Sequence, residues 1–316
     1  MMNQNDSPLN TAKRELIRYA LERFQGMSMK FQIDAAEESA EDPGAVYGVE
    51  EFLNNAYMNR GEIPLAMDIF KPVVEEDREL PVIVTIHGGG LVAGDRTLSR
   101  RYARILAGRG YLVFSLEYRL APRANAAEQL DDICAGMDLV GRRLVDFNVD
   151  FTRMFLSAES AGAYLAIYVA AMKKSKMLQE AIGYEPTRMT FKALGLNSGM
   201  FYTTRNDPIG WILADQFFGD KRVDQNFLTY MDPEHPEIVN NLPPVFLVTS
   251  RGDFLNNYTL MYHQALKKAG KTSHLLYYGE KELDHAFPTL HPFMEQSLDA
   301  TERMLSWFEE QAAKAT

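Results

Sequence analysis

Six short apolar runs, each separated from the next by a stretch of helical character, limit what this chain can fold into. They read VIVTI at 82–86, YLVFSL at 111–116, MFL at 154–156, ALGL at 193–196, VFLV at 245–248 and HLLYY at 274–278. Helical patterns lie between and after them, near 97–108, 127–145, 160–176, 256–269 and 292–314. Strands that are apolar on both faces and alternate with helices predict a parallel sheet covered on two sides, the α/β class. Two further extended segments, 46–58 and 62–71, precede the first run and join at Asn59-Arg60-Gly61. In the second, Leu65, Met67 and Ile69 alternate with Ala66, Asp68 and Phe70, which suits an antiparallel meander at the sheet edge.

Outside this frame lie two other regions. Residues 11–25 place Leu16, Ile17, Ala20, Leu21 and Phe24 on one helical face, and residues 34–44 form an acidic stretch ending in Pro-Gly. Residues 1–45 therefore read as an N-terminal cap segment and 46–316 as one α/β domain. Residues 200–240 interrupt the alternation with aromatic and turn residues and read as an insertion above the sheet. The net charge is −10, which disfavours nucleic-acid backbones and anionic lipid. A single cysteine, Cys134, and no visible signal sequence point to a reducing, cytoplasmic setting. No apolar window is long enough to span a membrane. Neither HExxH nor a Cys/His pair at zinc spacing is present, so no metal is expected.

Four motifs carry chemistry. Ser157-Ala158-Glu159-Ser160-Ala161-Gly162 follows a strand and opens a helix, the setting of a nucleophile elbow. A sharp turn there wants small residues two before and two after Ser160, which Ala158 and Gly162 supply. A plain helix N-cap is the competing reading of Ser160. His87-Gly88-Gly89-Gly90 follows the strand ending at Ile86. Three glycines let backbone N–H groups turn toward a reaction centre where negative charge builds on a carbonyl oxygen. A phosphate loop fails on spacing, because GGGLVAGDR has neither a GK[ST] ending nor GxGxxG. Asp253 follows the run at 245–248, and His285 the run at 274–278. Asp253 could instead cap the helix near Asn256, and Asp284 is a rival acid, although neighbouring side chains in a loop rarely converge. His291, at the start of the expected last helix, is the rival base. The chain order Ser160, Asp253, His285 is that of an α/β-hydrolase, and each residue falls at the end of an expected strand.

These residues resemble a known family. VIVTIHGGG (82–90), EYRLAPR (117–123), SAESAGAYLA (157–166), LPPVFLVTSRGDFL (242–255) and DHAF (284–287) are similar to the hormone-sensitive-lipase-like branch of the α/β-hydrolases, whose microbial members are carboxylesterases. The resemblance implies an eight-stranded, mostly parallel twisted sheet with helices on both faces. It also implies a helical cap built from the N-terminal segment and the insertion. For the site it implies Ser160 as nucleophile, His285 as base, Asp253 as orienting acid, and Gly88, Gly89 and Ala161 as oxyanion-hole donors. The elbow departs from the family's usual GDSAG, with Ala158 and Glu159 in its first two positions. Ala163-Tyr164, Arg123-Ala124-Asn125 and Asn257 are further departures.

The expected activity is hydrolysis of short-chain acyl esters through an acyl-enzyme, with no cofactor. The alternatives are an amidase or formamidase using the same triad, and a ligand-binding pseudoenzyme of the same fold. Leu91, Tyr164, Phe201 and Trp211 are the expected substrate contacts. Bulky aromatics of the insertion, including Tyr202, Phe217 and Phe218, would shorten the cleft. The expected partners are a small ester and, as an open option, a second copy of the chain in a homodimer.

Overall fold

The structure, a computed structural model, describes residues 48–74, 78–207, 209–210 and 224–314. The expected helix at 11–25, the acidic stretch at 34–44, and Trp211, Phe217 and Phe218 lie outside the described residues.

Eight strands form one sheet in the order β1-β2-β4-β3-β5-β6-β7-β8. They are β1 (Val49–Arg60), β2 (Ile63–Pro72), β3 (Leu80–Ile86), β4 (Leu112–Leu116), β5 (Val149–Glu159), β6 (Ala193–Asn197), β7 (Val245–Ser250) and β8 (Ser273–Tyr278). β1 pairs with β2, and β2 with β4, antiparallel; every other pairing is parallel. The antiparallel edge is the expected meander, and its turn falls at Gly61-Glu62.

β3, β4, β6 and β7 are buried along their whole length. Their side chains divide by alternation between two apolar layers. Val82, Val84 and Ile86 enter one layer, with Ile133, Ile167 and Tyr262. Ile83 and Val113 enter the other, with Leu106, Met304 and Phe308. The first layer is supplied by helices α2 (Ala126–Arg143), α3 (Ala161–Met172) and α7 (Asn256–Lys268). The second is supplied by α1 (Arg100–Gly108) and α9 (Glu295–Lys314). All twelve residues of α3 are buried, as its all-round apolar sequence requires.

Three boundaries differ from expectation. The run at 154–156 is the middle of an eleven-residue strand, β5; its early part carries Asp150, Phe151 and Thr152 toward solvent, so hydropathy marks only the buried stretch. The helical pattern at 160–176 breaks at Lys173, and a separate helix α4 (Lys176–Ile182) starts where the Ser175 hydroxyl accepts from the Leu178 amide at 3.0 Å. His291 does not open the last helix but closes a short one, α8 (Phe287–Leu290).

The segment between β6 and β7 carries short helices α5 (Gln225–Thr229) and α6 (Pro236–Val239). It packs onto α3, where the Tyr164 hydroxyl meets Met231 Sδ at 3.2 Å. Among the described residues no helix is long and apolar enough to cross a membrane.

Candidate active site

The carboxyl ends of β3, β5, β7 and β8 deliver the four motifs to one place. Ser160 sits between β5 and α3 with φ 53° and ψ −119°, a strained conformation for a residue with a side chain. Such a residue costs on the order of 1–3 kcal/mol, so its surroundings must hold it. Its amide donates to the Asn197 carbonyl at 2.9 Å, and its carbonyl accepts from the Met200 amide at 2.9 Å. Gly162 is required by contact, because a Cβ there would stand 2.3 Å from the Ile86 oxygen and 2.6 Å from the His87 oxygen.

Ser160 Oγ lies 2.9 Å from His285 Nε2, and His285 Nδ1 lies 2.7 Å from Asp253 Oδ1. The Asp253 carboxylate is fully buried and also accepts from the Leu255 amide at 2.8 Å and the Thr249 hydroxyl at 2.7 Å. Burial pushes this carboxyl up, but its hydrogen bond and charge interaction with His285, with the two further donors, hold it below the ordinary carboxylate value. Asp253 does not cap α7: the N-cap is Leu255, which has no side-chain cap, and the Asp253 carboxylate takes only the amide of that cap residue. Asp284 is exposed and points to His291 at 3.7 Å, so the two rivals pair with each other. Ala286, at φ 55°, turns the chain after His285, and its amide donates to Ser198 Oγ at 3.0 Å.

The glycine loop corrects one expectation. The Gly88 amide donates to Glu159 Oε1 at 2.9 Å, so it is engaged inside the protein and is not free to meet a substrate oxygen. Among the described residues, no protein acceptor takes the amides of Gly89, Gly90 or Ala161. Gly89, Gly90 and Ala161, and not Gly88, are thus the amides left unengaged here. Gly89, at φ +102°, tolerates no side chain, because a Cβ would fall 2.0 Å from the Ala93 oxygen.

EYRLAP, which serine chemistry did not explain, braces this loop. Tyr118 donates to the His87 carbonyl at 2.9 Å and stacks on its ring at 4.3 Å between centroids. Burial holds His87 down to about 4, so it is neutral. Arg119 grips the buried Asp132 carboxylate with two nitrogens at 2.7 and 2.9 Å, and the Leu91 carbonyl accepts from the Ala121 amide at 2.9 Å.

Leu91, Tyr164 and Phe201 are each at most 1% exposed. Phe201 lies flat on Tyr262 at 4.2 Å, and Tyr164 packs on Tyr168 at 4.8 Å. The structure gives these three core packing rather than an open face for substrate. Phe254, which sequence reasoning passed over, is 58% exposed with its ring 4.3 Å from that of His285.

Glu159 stands in the sequence only as a departure in the elbow, with no role attached to it. Burial pushes its carboxyl up to about 7. The folded chain therefore keeps this proton between about 4.5, the ordinary value, and about 7, where the unfolded chain has lost it. Stability falls as pH rises through that window. Glu159→Gln removes the titration, so its melting temperature should exceed that of the native chain by more at pH 8 than near pH 5. Equal differences at both pH values would contradict this.

Comparison with known proteins identifies the fold and the family. A family model described as alpha/beta hydrolase fold matches residues 83–289. The chain belongs to the α/β-hydrolase family. Its branch is the hormone-sensitive-lipase-like one. The hydrolase is 26% identical over 253 residues to carboxylesterase NlhH of Mycobacterium tuberculosis, covering 78% of this chain and 77% of the relative. It is 27% identical over 211 residues to tuliposide A-converting enzyme 1 of Tulipa gesneriana, covering 61% of this chain and 53% of that one. Among solved structures it is similar to esterase B of Lactobacillus rhamnosis, inhibited by a tributyrin phosphonate. The TM-score is 0.78 at 24% identity, covering 92% of this chain and 97% of that chain. It is also similar to the esterase of Pyrobaculum calidifontis, with TM-score 0.67 at 22% identity and coverage of 98% and 99%. At such identities the structural likeness shows the fold.

Proposed function

We propose that this α/β-hydrolase is a serine carboxylesterase that cleaves short-chain acyl esters through Ser160, His285 and Asp253. Membership of carboxylic-ester hydrolases follows from the family and its carboxylesterase relatives; the finer reading is ours. The observation that carries it is the unbroken relay from Asp253 through His285 to Ser160, at 2.7 and 2.9 Å, ending on a strained elbow.

The chemistry follows from that relay. Ser160 Oγ attacks the ester carbonyl carbon as its proton passes to His285 Nε2. Charge on the carbonyl oxygen meets the amides of Gly89, Gly90 and Ala161, the last at the N-terminus of α3. His285 then protonates the departing alcohol, leaving an acyl group on Ser160. Water attacks that ester with His285 as base, and Ser160 is regenerated. The intact relay argues against a binding-only relative. The lone Cys134 supports a cytoplasmic setting for the enzyme.

Acyl length is read from packing. Phe201 is buried against Tyr262, and Tyr164 against Tyr168, so a long acyl chain must displace rings to enter among them. Each methylene that fits gains only about 0.8 kcal/mol, and one that clashes loses more. The exposed Phe254 ring offers an apolar contact where the alcohol leaves, favouring phenols and other small apolar alcohols. The test is kcat/KM across p-nitrophenyl esters from acetate to palmitate, with ethyl acetate and an acetanilide for comparison. The maximum should lie between acetyl and butyryl, with phenyl acetate above ethyl acetate and the anilide slowest. A maximum at decanoyl or longer would remove the short-chain assignment, and faster anilide cleavage would make the enzyme an amidase.

A further inference from the structure

β3 and β5 run parallel side by side, with Ile86 opposite Ala158. The glycine loop leaves one strand and the serine elbow leaves the other, so their separation sets the oxyanion site. The two backbones nearly touch: a Cβ on Gly88 would stand 2.9 Å from Ser160 Cβ. One side chain ties them together, through the 2.9 Å bond from the Gly88 amide to Glu159 Oε1.

The Glu159 carboxyl is 4% exposed, and among the described residues no Lys, Arg or His pairs with it. Its further donors are its own backbone amide and Ser99 Oγ, the latter at 3.5 Å, and the phenols of Tyr102 and Tyr118 feel its charge. Burying a carboxyl with no cation beside it is unfavourable, and an apolar residue would relieve that penalty. What an apolar residue cannot supply is an acceptor for the Gly88 amide.

We propose that Glu159 is a positioning residue: its carboxyl oxygen holds the Gly88 amide, turning the following amides of Gly89 and Gly90 toward the carbonyl that Ser160 attacks. This rests on the serine-esterase reading of the same site. The role belongs to the oxygen as acceptor and not to its charge, since an anion beside the site would oppose the developing oxyanion. A neutral amide side chain therefore serves, and a side chain of similar size without oxygen does not.

The experiment compares the native chain with Glu159→Gln and Glu159→Met. It reads kcat and KM on p-nitrophenyl acetate, and the rate of phosphonylation of Ser160 by a fluorophosphonate followed by intact mass. Glu159→Met should lose kcat roughly 10- to 100-fold with KM within about threefold, because misplaced donors weaken transition-state contacts. Glu159→Gln should keep kcat within about threefold of native. Phosphonylation rates should follow the same order, and they are read per labelled chain, so a partly folded sample still reports. Native-like kcat in Glu159→Met, equal losses in both variants, or a loss confined to KM would overturn the positioning role. A native chain that fluorophosphonate does not label at Ser160 would overturn the serine-esterase reading together with it, whereas a labelled native chain with an unaffected Met variant overturns the positioning role alone.

Discussion

Ser160→Ala should lower kcat by roughly four to six orders of magnitude while the protein stays folded. The loss follows from the elbow. The bond to the acyl carbon forms at Oγ, and no neighbouring hydroxyl can take over. Ser157 Oγ is buried against the Tyr102 hydroxyl at 3.3 Å, Ser250 Oγ donates to the Leu283 carbonyl at 2.6 Å, and Ser198 Oγ accepts from the Ala286 amide at 3.0 Å. The fold survives because the elbow is held by backbone bonds to Asn197 and Met200, which alanine keeps. The check is twofold: steady-state rates on a short p-nitrophenyl ester, and intact mass after organophosphate treatment. The native chain should carry one adduct, within residues 155–172, and Ser160→Ala none. An adduct elsewhere would move the nucleophile.

How much of this site was legible beforehand depended on whether the chemistry ran along the chain or across it. Ser160, Asp253 and His285 could be read because each follows an apolar strand run, and parallel strands gather their ends. The parallel part of the sheet was legible for the same reason, since burial on both faces leaves its mark in continuous β-branched runs such as VIVTI at 82–86. Contacts between distant elements left no such mark. A glycine motif shows that the backbone can turn, not which amide is already bonded, so the sequence offers Gly88 as a free donor. Its partner is a side chain 71 positions away. Likewise EYRLAP was a motif without a mechanism until Tyr118 was seen against His87, 31 positions back. Aromatic composition does not say which rings stack on each other, so Phe201 and Tyr164 read as cleft walls in the sequence and pack as core in the fold. The long β5 was underread because Asp150 and Thr152 form its exposed start. Helix α4 was missed because its seven residues are too few for a helical period to stand out, and the cap that starts it is a hydrogen bond.

His285→Ala should lose nearly as much activity as Ser160→Ala, again roughly four to six orders of magnitude, while His291→Ala stays within about threefold of native. The two histidines are six residues apart and differ in what they face. His285 has one nitrogen on Ser160 Oγ and the other on a buried carboxylate; His291 faces the exposed Asp284, at 3.7 Å. Losing both proton transfer and the activation of water leaves only the oxyanion donors and binding, which sustain a small residual rate. Asp253→Asn adds a graded test. An asparagine oxygen can still accept from His285 Nδ1 and the Leu255 amide, with the Thr249 hydroxyl rotating to accept from the new NH2 group. What is lost is the negative charge that stabilises the imidazolium formed as Ser160 attacks. Because Asp253 is held below the ordinary carboxylate value, that charge is present throughout the range in which an esterase is assayed. Asp253→Asn should therefore fall by roughly 10²- to 10⁴-fold, between native and His285→Ala. Single-turnover acylation with a p-nitrophenyl ester separates the steps, and the deficit should appear in acylation and deacylation alike, because His285 forms an imidazolium in both. If His291→Ala proves the more damaging histidine variant, the base is His291 and the relay seen through His285 does not carry the reaction.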